Sequence, residues 1–131
     1  MTALTLLAVA LGGAVGAVSR YLVSGWIQDA SGGFFPWGTM GVNVAGSLLL
    51  GFALVWLQGT VASAEARALV TIGFLGSFTT FSTFSYETVA MLRDGQWWRA
   101  GAYVMGSLTL ALVAIATGAA LASSLLRARS G

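Results

Sequence analysis

Four long apolar stretches, joined by short polar connections, leave this chain very few ways to fold. They run over about residues 3–27, 37–58, 67–91 and 98–125. A membrane-spanning helix takes about 20 predominantly apolar residues, and every stretch is that long. The connections are "QDASGGFFP", "GTVASAEA" and "RDGQWW". Only 8% of residues are charged, against roughly 25% in ordinary soluble domains, so the chain cannot build a water-facing surface. The stretches are continuously apolar rather than alternating, which disfavours a β-barrel. The expected fold is all-α: one integral-membrane unit over residues 1–131 with four transmembrane helices. The first stretch lacks a positively charged leader region and runs too long for a signal peptide, so it is expected to be a retained span.

Local features agree with this layout. Pro36 precedes the second span, a place where a helix can start. Trp26, Trp37, Trp56, Trp97 and Trp98 fall near span ends, as interfacial aromatics do. Gly12 and Gly16 form a GxxxG in the first span, and Gly46 and Gly51 lie in the second. Small residues at this spacing let helices approach closely, and that packing role is expected of most of the 18 glycines. There is no Cys, His or Lys. Disulfide frameworks, thiol catalysis, zinc sites and Ser–His relays are excluded. No base–nucleophile pair is available, so an enzyme is not expected.

Orientation is left open by the arginines. With four spans both termini lie on one side, together with Arg67, Arg127 and Arg129. The other side holds Arg93 and Arg99, plus Arg20 if it reaches an interface. Orientation follows Lys/Arg asymmetry, and here almost none exists. Either a partner decides, or the chain inserts both ways. Copies of opposite orientation could then pair about a two-fold axis in the membrane plane.

The polar residues inside the spans are few and patterned. Thr39, Asn43 and Ser47 recur at i, i+4, i+8 on one face of the second span. Tyr103 and Ser107 share a face of the fourth. Each set has a plain reading, interhelical hydrogen bonding, beside the reading as the wall of a path. The third span carries "GFLGSFTTFSTFSYE" at 73–87. At 100° per residue Thr80, Thr83, Phe84 and Glu87 fall within one arc, with Phe81 at its border. Gly73, Gly76, Ser77, Thr79 and Thr80 combine low helix propensity with side chains that compete for backbone bonds. A break is expected near 76–80. At membrane depth such a break is tolerated only inside protein or beside a wet cavity.

Two ionisable groups stand within the spans, Arg20 and Glu87, and such groups are functional candidates by default. The alternatives are snorkelling for Arg20 and a bond to a nearby hydroxyl for Glu87. Amide, hydroxyl and phenylalanine-edge groups all present positive charge. Together they suit a small, strongly hydrated anion on a narrow path.

Four motifs appear in order, one per span: "GGAVGAVSRY" (12–21), "WGTMGVNVAG" (37–46), "GFLGSFTTFSTFSYET" (73–88) and "YVMGS" (103–107). They resemble the Fluc family of small fluoride channels, and the resemblance covers nearly the whole chain. It implies an antiparallel, dual-topology homodimer in a bacterial plasma membrane, exporting fluoride from the cytoplasm by passive permeation through two pores. By resemblance Phe81 and Phe84 offer ring edges to fluoride, with Asn43 as a donor beside them. Tyr103 and Ser107 line the path on the fourth span, Thr83 and Glu87 match a polar track on the third, and Arg20 matches a vestibule arginine; Thr39, from the polar stripe of the second span, is counted with the pore residues. The resemblance further implies a structural sodium ion at the dimer interface, held by backbone oxygens of Gly76 and Thr79. The competing reading is a small dual-topology multidrug exporter. That chemistry needs an acid deep in the first span, and residues 1–27 contain none.

Overall fold

The computed structural model describes residues 1–131 and contains helices only. Four helical spans are long and apolar enough to cross a membrane. The first is α1 (Ala3–Ala30), capped by the Thr2 hydroxyl, which accepts from the Thr5 N–H at 3.1 Å. The second is α2 (Trp37–Gln58). Pro36 stands just before it, and its carbonyl accepts from the Met40 N–H. The fourth span is α6 (Trp97–Ser130). Spans one, three and four run a few residues beyond the boundaries expected from hydropathy, because helical backbone continues into the interfacial turns.

The third span, Ala64–Arg93, is a composite. It comprises α3 (Ala64–Arg67), a π-helical segment (Ala68–Leu75), α4 (Gly76–Phe78) and α5 (Phe81–Arg93). The expected break is present but narrower than 76–80. Gly76, Ser77 and Phe78 are helical, and only Thr79 and Thr80 are extended, with φ/ψ of −88°/156° and −149°/120°. Thr80 restarts the helix by accepting the Thr83 N–H on its hydroxyl at 3.2 Å. The π-helical segment was not expected.

Packing is set by backbone-to-backbone approach. The π-helical segment lies against α1, where a Cβ on Gly16 would collide with the Phe74 carbonyl. Helices α2 and α6 pack along most of their length, and a Cβ on Gly118 would collide with the Leu48 carbonyl. The small core gathers Met40, Phe84, Met91, Ala100 and Tyr103 from α2, α5 and α6. Only 21 of 131 residues are buried within one chain. Most of the apolar surface is therefore left for lipid or for a second copy.

Candidate functional site

The polar residues singled out above converge where α2, α5 and α6 meet. Glu87 is the hub. Its Oε1 accepts from the Thr39 hydroxyl at 2.8 Å, and its Oε2 accepts from the Tyr103 hydroxyl at 2.6 Å. The carboxylate of α5 is thus bonded to hydroxyls of two other helices. Tyr103 is completely buried, and Thr39 is nearly so.

One turn deeper, Asn43 of α2 faces the break. Its amide donates to the Thr80 carbonyl at 2.9 Å, and its Oδ1 accepts from the Thr80 N–H at 2.7 Å. Asn43 is an interhelical anchor, and its side chain also borders a cavity. It splints the break with one amide proton and still lines the adjoining cavity with its side chain. The Thr80 N–H would bond the Gly76 carbonyl in an unbroken α-helix. Turned toward Asn43, it releases that carbonyl. The Thr79 N–H and hydroxyl both bond the Leu75 carbonyl.

Aromatic rings form a connected row. Phe81 and Phe84 have centroids 5.5 Å apart, and Phe84 lies 5.1 Å from Tyr103. Phe35 meets Tyr103 edge-on at 5.5 Å. Phe84 is buried at 8% exposure, but Phe81 is 74% exposed. The pair therefore reaches from the interior of the chain to its surface.

Three cavities adjoin along this polar face. The first, about 410 Å³, opens beneath the α1–α2 connection and reaches Thr39, Thr83 and Glu87. The second, about 200 Å³, contains Arg20, Ser24, Thr39, Thr80 and Thr83. The third, about 230 Å³, contains Asn43, Ser47, Phe81, Phe84 and Ser107. Thr39 and Thr83 border both the first and the second; Thr80 borders both the second and the third. All nine of the expected pathway residues border one of these cavities or bond a residue that does.

Two buried side-chain polar atoms lack a hydrogen-bond partner, Arg20 Nε and Ser107 Oγ. Buried polar groups are nearly always paired. Both exceptions carry a proton to donate, and both residues border the cavities.

Gln28 and Phe35 border the first cavity without having been expected. Gln28 donates to the Phe35 carbonyl at 2.9 Å and accepts from the Gly38 N–H at 3.0 Å. It holds the α1–α2 connection over the first cavity. A glutamine so close to a span end reads as an ordinary interfacial residue, and its partners become visible only in the folded chain.

Comparison with known proteins gives one consistent result. Residues 7–119 match the family model described as CrcB-like protein, Camphor Resistance (CrcB). A protein of Geobacter sulfurreducens named Fluoride-specific ion channel FluC is 51% identical over 110 residues, 83% of this chain and 89% of the relative. Its namesake from Hahella chejuensis is 47% identical over 114 residues, 86% of this chain and 90% of the relative. That from Opitutus terrae is 50% identical over 110 residues, 82% and 83% of the two chains.

Proposed function

The chain belongs to the CrcB-like family, and from that premise we propose that it is a multi-pass membrane channel for fluoride. It is a channel and not an enzyme. The family assignment and the names of relatives near 50% identity support the ion's identity. One structural observation carries the anion reading. Of the two buried polar atoms without partners, Arg20 Nε can only donate and Ser107 Oγ has a proton to donate, and both residues border the cavities. The one acid on this face, Glu87, already has a hydroxyl on each carboxylate oxygen.

In this reading Arg20 attracts the ion into the vestibule, and Thr39, Thr83 and the Glu87–Tyr103 pair line its first stretch. Ser107, the free amide proton of Asn43 and the edges of Phe81 and Phe84 replace its water deeper in. Net hydrogen bonds to charged groups contribute about 1.5–3 kcal/mol each, so several together offset a large dehydration cost. Conduction also requires release, which weak, distributed contacts permit. The test is fluoride efflux from liposomes holding the purified chain, with chloride as control. Fluoride efflux with no chloride efflux is expected. Equal leakage of both ions, or of neither, would overturn the proposal.

The functional unit in this reading is an antiparallel homodimer with two pores. Extended backbone at Thr79–Thr80 and the exposed Phe81 and Ser82 lie at membrane depth. Lipid does not tolerate irregular backbone, so a second copy covers it. The balanced arginines supply both orientations. A reporter on the C-terminus should be found on both sides of the membrane; a single orientation would refute the dual topology.

A sodium ion at the break belongs to the same reading. The Gly76 carbonyl released by the Asn43–Thr80 bonds and the Thr79 carbonyl are oxygen donors suited to a hard cation. Bound there, sodium would neutralise carbonyl dipoles at the covered interface and hold the two copies together, while the path carries fluoride. Elemental analysis of the exhaustively dialysed dimer should retain sodium, and a sodium-free dimer of unchanged stability would remove the ion from the account.

A further inference from the structure

The donors along the cavities come from two helix faces that do not end at the same depth. On α6 the face runs Tyr103, Ser107, Ala111, and on α2 it runs Thr39, Asn43, Ser47. At the outer level both faces contribute a hydroxyl, and both bond Glu87. One turn in, α2 offers the Asn43 amide and α6 offers Ser107. Another turn in, the faces differ. Ser47 and Ala111 both border the third cavity, but Ala111 has only a methyl group.

The hydroxyl of Ser47 has no hydrogen-bond partner within the chain. Five helical hydroxyls bond the carbonyl four residues back, those of Thr71, Ser85, Thr88, Thr117 and Ser123. Ser47 is not among them. It lies 10 residues into α2, about 15 Å from the helix start at 1.5 Å per residue. That is the middle of a hydrocarbon core about 30 Å thick, where a free hydroxyl is costly unless something occupies it. The same cavity holds the Ser107 hydroxyl, whose residue is only 6% exposed and whose oxygen has no partner.

We propose that Ser47 is the donor that receives fluoride from Ser107, so that the line of hydroxyls crosses from α6 to α2 at the level of Ala111. The inference rests on the fluoride-channel reading and adds to it a residue and a direction. Past Ser107 the α6 wall is apolar, and an anion continuing along it would lose a contact it has just gained. Ser47 supplies the contact from the opposite wall, beside the Phe81–Phe84 pair.

The test compares fluoride efflux for the parent chain, Ser47→Ala, Ala111→Ser and the double variant, with elution volume as a check on assembly. Ser47→Ala removes one oxygen and substitutes a better helix former, so assembly should be unchanged. Its fluoride efflux should fall about tenfold, as for loss of one hydrogen bond to a charged group. Ala111→Ser in that background should restore efflux, because it returns a hydroxyl at the same depth on the other wall. A packing role for Ser47 predicts no such rescue. Parental efflux from Ser47→Ala would overturn the inference, as would a loss that Ala111→Ser fails to repair, and either result leaves the channel reading standing. A parent that passes no fluoride would overturn both.

Discussion

The two halves of the third span are held in opposite ways. The first half, through Phe78, is apolar and seated against α1, where the glycines admit its carbonyls. The second half, α5, makes little such close contact. Hydrogen bonds to Asn43, Thr39 and Tyr103 tie it to α2 and α6, and one side is left exposed through Phe81, Ser82 and Tyr86. Close packing excludes everything, water and ions included. Polar tethering keeps side chains in register while leaving cavities between them. In the proposed reading the first half is a foundation, and the second is a wall past which the ion moves.

The contrast can be broken most severely at Gly16. A leucine there would have to displace the Phe74 backbone, which no rotamer change can avoid. We expect a cost of about 3 kcal/mol, the upper end for overpacking, seen as loss of monodisperse protein. A well-assembled Gly16→Leu variant would mean that the first half is not the foundation described.

Asn43→Ala acts at the joint. It removes two hydrogen bonds and leaves both Thr80 backbone groups unpaired. The expected loss is about 2 kcal/mol, at roughly 1 kcal/mol per bond, read from thermal unfolding in detergent. Hydrogen exchange should accelerate over residues 79–93 and stay protected over 64–78. Uniform acceleration would show that the halves are one cooperative unit.

Tyr103→Phe gives the smallest change. Thr39 still holds Glu87, so the loss should be about 1 kcal/mol, confined to α5. An effect equal to that of Asn43→Ala would place the tether at Glu87 rather than at the break.

The sequence already marks the same division. Glycine spacing on the first span signals close approach, and "TTFSTFSYE" signals a polar, irregular segment. The four spans follow from length and apolarity alone, and the break follows from the crowding of Gly, Ser and Thr. Its narrowing to Thr79–Thr80 does not, because Asn43, 37 positions earlier, supplies the partners that end it. The π-helical turns at 68–75 are equally illegible, since their reason lies in the carbonyls' fit against glycines of another span. Gln28 and Phe35 escape for the same cause. Helix-face periodicity, by contrast, correctly grouped Thr39, Asn43 and Ser47, since that grouping needs only the helix.

The central claim is that the ring pair on the tethered half touches the passing ion. Fluoride efflux from liposomes holding Phe81→Ile or Phe84→Ile tests it most directly, with dimer assembly followed in parallel. Isoleucine keeps apolar bulk but lacks the electropositive ring edge. The account predicts intact dimers and about tenfold lower fluoride efflux for each variant, equivalent to about 1.4 kcal/mol. Efflux equal to the parent's in both variants would contradict it, and the rings would then be packing alone.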